Sequence, residues 1–336
     1  MRDNAFGAAG GLDRMSRWFS ANRDAGEAII NRFHSGPIPR TLFHYTSTAA
    51  LISIVRNNEL WLSDATFLND RLEIDHGRDV ACERLAAAAA ASARSEVTAM
   101  LNDALQHFEI EPNPDVYVAC FSIVGDDLAQ WRGYGQGEAP VVIEVENSPL
   151  MFGYTSEGLI HQVRYELEEQ TWIFDQVIDR YARKYAQDVD DPRPVRKGQP
   201  IPPDEERELC ARSLYFGLWR YIISSKNGAF RSEQEVRFTY TAHDYGRSWS
   251  EWHPEHPEPM FRERAGRIVP YLSSKNLDFR NMDRHDEVPK LPIHSIRIGP
   301  IDDQTLVARG VRKLLDAHGH QSVEITMSGS PFRRDR

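Results

Sequence analysis

The segment FRSEQEVRFTY (230–240) sets two carboxylates and a guanidinium two residues apart from one another. On a β-strand alternate side chains share a face, so Glu233, Glu235 and Arg237 would point one way and Val236, Phe238 and Tyr240 the other. Same-face neighbours then sit about 7 Å apart. With the apolar face in a core, the polar face has two readings. It is a solvated surface with an ion pair to Arg237, or it is a rigidly mounted acid pair whose like charges push one pKa upward. A second cluster, His44-Tyr45-Thr46-Ser47, sits where a strand passes into a helix. One of its hydroxyls, Thr46 or Ser47, is placed to cap that helix. The histidine is either a satisfied strand-end side chain or part of a hydrogen-bonding edge for a ribose or amide, beside a helix N-terminus that favours anions. In QWRGYGQG, Trp131 and Tyr134 stand three apart, on one helical face. They pack, or they form a stacking platform for a flat ring.

The elements that must position these groups can be read from period and punctuation. Thr41 to Tyr45 is strand-like, and Thr48 to Asn57 has Leu51, Ile52 and Val55 on one helical face. Residues from Ile74 to about Phe108 predict one long helix, its alanine run from 86 to 91 serving as scaffold. DVYVACFSIV (115–124), PVVIEVE (140–146), QEVRFTY (234–240), RIVPYL (267–272), IHSIRIGP (293–300) and SVEITMS (322–328) read as strands. Helices are expected over 161–187, 204–226 and 304–317, the first two parted by a proline-rich linker. Helices clustered between antiparallel-looking strands define an α+β class with a mixed, mainly antiparallel sheet and a helical insertion over about 160–226. The expected layout is an N-terminal helical segment over 1–40, one α+β domain over 41–330, and a basic tail over 331–336.

Composition bounds the function. The chain has 336 residues, 41% of them hydrophobic, with a net charge of −10. That acidity disfavours a general nucleic-acid binder. Cys82, Cys120 and Cys210 are odd in number and lack metal-ligand spacing, as expected of free thiols in a reducing, cytoplasmic setting. No apolar run has the length of a membrane span, and the charged N-terminus is unlike a secretory signal. His253, Glu255 and His256 in HPEHPE read as a proline-stiffened surface loop, so no metal is expected. Phosphate loops, dinucleotide fingerprints and nucleophile elbows are missing from the sequence.

Taken in order, FHYTS, LWLSDATFLND, ACFS, QWRGYG, EVRF, IRIGP and VEITMSGSPFR resemble the bacterial family called domain of unknown function 2971. The likeness runs from about Leu42 to Arg333 and brings no activity with it. A more distant resemblance is to ADP-ribosyltransferases, which carry a His or Arg on an early strand, a Ser or Tyr strand in the middle and an E-x-E glutamate late. His44, Phe121-Ser122 and Glu233-Gln234-Glu235 follow that order, although ACFS departs from the family's S-T-S pattern. The resemblance implies an ADP-ribosyltransferase-like arrangement acting on NAD as substrate. ADP-ribose would pass to a protein or nucleic-acid acceptor, or the NAD would be hydrolysed, as suits a toxin, effector or antiphage defence protein. On that likeness Glu235 is the catalytic glutamate, Glu233 orients the acceptor, His44 binds the ribose side and Ser122 supports the site. Tyr45, Trp131 and Tyr134 are candidates to stack on nicotinamide, with Thr46 alongside. Arg237 would grip pyrophosphate or hold Glu235 by an ion pair, and Asn69 and Asp70 would meet substrate or order the His44 loop. The alternative is a non-catalytic nucleotide- or protein-binding module on the same fold.

Overall fold

A computed structural model describes residues 38–68, 73–111, 113–134, 139–147, 158–191, 202–242, 258–264, 266–275, 277 and 290–330, together with Ala25, Ala28 and Ile29. The N-terminal segment otherwise, the HPEHPE histidines and the basic tail lie outside these residues, as do Asn69 and Asp70.

Among the described residues ten strands form one sheet. They are β1 (Thr41–Ser47), β2 (Trp61–Asp64), β3 (Asp115–Ser122), β4 (Pro140–Glu146), β5 (Gly158–Gln162), β6 (Glu235–Ala242), β7 (Met260–Arg264), β8 (Arg267–Ser273), β9 (Ile293–Ile298) and β10 (Glu324–Met327). The helices are α1 (Thr48–Asn57), α2 (Glu73–Ala91), α3 (Ser95–Ile110), α4 (Leu128–Tyr134), α5 (Leu167–Asp190), α6 (Pro203–Ile222) and α7 (Gln304–Ala317). Every strand pairing is antiparallel except β9 with β10. The protein is therefore α+β with a mixed, mainly antiparallel sheet.

The sheet forks at β3. One edge of β3 pairs with β6 along its whole length, from Asp115 opposite Ala242 to Ser122 opposite Glu235. The other edge is shared. β1 meets it at Ser122, through Phe43, and β2 meets it at Val118 and Tyr117, through Ser63 and Asp64. Between these contacts no strand among the described residues pairs with the edge, and His44 Nδ1 lies 2.9 Å from the carbonyl oxygen of Cys120 instead. From the fork one arm runs through β1, β4, β9 and β10, and the other through β2, β8 and β7.

Each face of the sheet has its own core. Leu42, Phe121, Ile143, Val236, Phe238 and Ile296 pack with Leu51 and Val55 of α1 and with Val311 and Leu315 of α7. On the opposite face Val116 and Val118 meet α2, α3, α5 and α6, where Leu85, Phe108, Phe174 and Trp219 are buried. β3 supplies both layers, with Val116 and Val118 on one face and Tyr117, Ala119 and Phe121 on the other, while β4 and β6 give Val141, Ile143, Val236 and Phe238 to the second.

Several expected elements are corrected by local chemistry. The long helix from Ile74 divides into α2 and α3, because Ser92 Oγ accepts the Arg94 amide at 3.3 Å and interrupts the ladder. Arg94 then turns outward to Glu96 and Asp190 at 2.6 and 2.8 Å. Residues Gly158–Gln162 form a strand paired with β6, so the helix expected from 161 begins only at Leu167. The helix expected to reach 226 stops at Ile222, and Ser225 bridges to Arg164. β7 was missed altogether, because its exposed M-F-R-E-R sequence carries no apolar alternation. Elsewhere α1, β4 and α7 keep the expected boundaries. Ser47 caps α1, accepting from Ala50 N at 3.3 Å.

Candidate functional site

The charged groups singled out in the sequence do meet, but not as one strand face. Glu233 ends a 3-10 turn, and Gln234 takes the left-handed conformation at φ 43° before β6 begins at Glu235. Strand alternation thus applies to Glu235 and Arg237 and not to Glu233. What reunites the three is a lysine that the spacing did not reveal. Lys226 Nζ sits 2.5 Å from Glu233 Oε2 and 3.1 Å from Glu235 Oε2. Arg237 donates to both Glu235 oxygens, at 2.8 and 2.9 Å, and to the Ile223 carbonyl at 3.0 Å.

Lys226 is delivered by backbone pairing. After α6 ends, Arg164 N donates to Ser224 O at 2.8 Å and Lys226 N to Arg164 O at 3.0 Å. Buried Gln170 clamps this crossing, donating to the carbonyls of Arg164 and Lys226 at 2.7 and 2.9 Å. Tyr165 adds a hydroxyl that accepts from Glu235 N at 2.9 Å. Nothing in the sequence period links Lys226, Gln170 or Tyr165 to β6, since Lys226 follows α6, Gln170 lies in the first turn of α5 and Tyr165 precedes that helix.

Glu235 is only 5% exposed. Burial alone would raise its pKa, but the charge and hydrogen bonds of Arg237, joined by Lys226, bring it down to about 2. Glu235 is therefore ionised at neutral pH and held between two buried cations. On the same face the cross-strand partner of Arg237, His161, has a buried ring nitrogen, Nε2, with no hydrogen-bond partner among the described residues. Burial, with the charges of Arg220 and Arg237, lowers its pKa to about 3, so the ring is neutral.

His44 does not join Glu235. Phe43, Ser122 and Glu235 are successive cross-strand partners and share one face. Alternation sets His44 on the other face, where its ring lies 5.5 Å from that of Phe121. Burial lowers the His44 pKa, the hydrogen bond to Cys120 opposes this, and the charge of Arg262 lowers it further.

The remaining candidates hold the loop after β3. Ser122 Oγ donates to the Glu233 carbonyl at 2.9 Å and accepts from Val124 N at 3.1 Å. Tyr45 OH donates to Val124 O and accepts from Asp127 N, both at 2.9 Å, and burial raises its pKa to about 12. Trp131, 1% exposed, packs edge-on against Tyr45 at 4.9 Å and donates Nε1 to Asp126 at 2.7 Å. Of the two readings of Trp131, packing is the one it performs. Thr46 is buried, and the side chain of Tyr134 lies outside the described residues.

A second polar cluster lies beyond the fork. Trp61 Nε1 donates to Glu59 Oε1 at 2.8 Å, and the Trp61 and Tyr271 rings lie 4.7 Å apart. Arg262, from the unforeseen strand β7, lies over both rings. Among the described residues no group of three or more His, Cys, Asp or Glu side chains could hold a metal ion. None of the described helices is long and apolar enough to cross a membrane.

The fold defines a mixed α+β protein with an open, forked sheet. Residues 130–238 of the chain match the model of a family described as protein of unknown function (DUF2971). That stretch runs from α4 to β6 and contains Trp131, Lys226, Glu233, Glu235 and Arg237, while His44 and Arg262 fall outside it. No curated protein and no solved structure matches the chain.

Proposed function

We propose that this protein is a non-catalytic module that binds a nucleotide-type ligand, and that Glu235 holds the module together without acting on substrate. The observation that carries this reading is the engagement of both Glu235 oxygens by Arg237 and Lys226 inside the protein. A glutamate that stabilises an oxocarbenium-like centre must reach the ribose. Here that reach would require breaking a buried ion network, and the alternation of β1 turns His44 to the other side of the sheet.

Nicotinamide release from NAD by the purified protein, with and without a cell lysate as acceptor source, tests this directly. The expected result is no release above buffer, with nucleotide binding detected by calorimetry. Release that disappears in a folded Glu235→Gln variant would restore the transferase reading and overturn this one.

A further inference from the structure

In the β7–β8 hairpin Met260 pairs with Tyr271, Arg262 with Val269 and Arg264 with Arg267. Cross-strand partners share a face, so the three arginines project together. Tyr271 pairs in turn with Ser63 of β2, which continues that face to Ser63 and Trp61. The Arg262 guanidinium lies 5.0 Å from the centroid of Trp61 and 5.8 Å from that of Tyr271. One of its Nη groups donates to Ser63 Oγ at 2.6 Å. The ring faces fix its plane, and a delocalised cation stacks well there.

For Arg262, as for Arg267, the described residues supply no carboxylate partner, and the Arg262 Nε–H is buried with no acceptor among them. Arg264 and Arg267 stand directly opposite each other, a like-charge pairing that disfavours the hairpin. Burial and the neighbouring Arg264 both lower the Arg262 pKa, the signature of a cation held where its charge is unfavourable. Yet the chain carries 50 acidic residues against 40 basic ones, so carboxylates were available. Stacking explains the rings and leaves the missing acceptor unexplained. An anion from outside would give Arg262 its counter-charge and accept a hydrogen bond from the Ser63 hydroxyl.

We propose that this face binds the phosphate chain of a nucleotide, with Arg262 as the anchor and Arg264 and Arg267 along the outer phosphates. Arg262 and Arg264 are about 7 Å apart along the strand, a reach that suits a chain of phosphates and exceeds a single carboxylate. Among the described residues the cationic row is confined to one hairpin of an acidic protein, the footprint of a small polyanion and not of a nucleic-acid track. The inference deepens the binding-module reading and rests on it.

Titration calorimetry on the intact protein with ADP, inorganic tripolyphosphate and adenosine tests it. ADP and tripolyphosphate are expected to bind and adenosine to fail. Arg262→Gln should weaken ADP by roughly 10- to 100-fold, the effect of losing a charge-assisted contact. Arg262→Lys, which keeps charge but not the planar fork, should fall between the two. No ADP binding by wild type, or equal affinity in a folded Arg262→Gln variant, would overturn the proposal. If that variant fails to fold by circular dichroism, Arg267→Gln on the exposed hairpin decides, and an unchanged ADP affinity counts against the site. A short single-stranded oligonucleotide that binds more tightly than ADP would overturn the choice of a nucleotide. NAD turnover would end the non-catalytic reading yet leave the Arg262 contact standing, so the two failures are distinguishable.

Discussion

Glu235 and Glu233 are two residues apart and share Lys226, yet they differ in what their loss would do. The Glu235 side chain is 6% exposed and contacts two buried cations, whereas that of Glu233 is 33% exposed and contacts Lys226. Removing one partner from a buried ion pair leaves an uncompensated charge, which costs about 3–5 kcal/mol. A half-open contact is worth about 1 kcal/mol or less. Glu235→Gln is therefore expected to lower the urea-unfolding free energy by about 3–5 kcal/mol, and Glu233→Gln by about 1 kcal/mol or less. Equal, small effects would remove Glu235 from its central place. The E-x-E spacing was legible as a pair of carboxylates. Their unequal burial was not, because it depends on Lys226 arriving from the end of α6.

At the scale of elements, the helical layer depends on close approach. A Cβ added to Gly77 of α2 would meet the Ile222 carbonyl oxygen, at the end of α6, at 2.5 Å and its Cα at 3.0 Å. The obstacle is backbone and cannot rotate away, so α2 must move off α6. Gly77→Ala should destabilise by roughly 1–3 kcal/mol, the usual range for overpacking, although alanine favours helix intrinsically. Thermal unfolding would check it, and a stabilised variant would show that the helices tolerate separation. The same layer hides its register from sequence. The alanine-rich stretch after Ile74 has helical composition throughout, so only Ser92 and the outward turn of Arg94 mark the break. β7 was illegible for the opposite reason, since a solvent-exposed edge strand needs no apolar alternation.

Over the whole molecule, two buried charge clusters set opposite limbs of the pH–stability curve. Glu235 has its folded pKa depressed from 4.5 to about 2. Its contribution is present above 4.5 and is lost as pH falls toward 2. His107 joins α3 to α6, with Nδ1 2.9 Å from Glu111 and Nε2 3.3 Å from Glu208. Burial works to lower its pKa, but the two carboxylates raise it from 6.5 to about 9. Its contribution is present below 6.5 and is lost as pH rises through 9. Stability measured by urea unfolding should therefore be greatest between about pH 4.5 and 6.5. His107→Gln should flatten the alkaline limb and leave the acid limb in place. An alkaline limb unchanged in that variant would show that His107 is not its source.

What the sequence determined by itself was class and local structure: an α+β chain, the strand pattern of β3, β4 and β6, the lengths of α1 and α7, a hydroxyl cap for α1, and the residue types that would carry charge. These follow from side-chain periodicity and turn chemistry, which act over a few residues. Tertiary structure alone decided that His44 and Glu235 lie on opposite faces. A strand's face is set by its register with a neighbour, and Phe43 opposite Ser122 is a contact across 79 residues of chain. It also decided that Lys226 completes the carboxylate pair and that Arg262 rests on Trp61 and Tyr271. Electrostatic compensation depends on distance in space, and no period in the sequence encodes it.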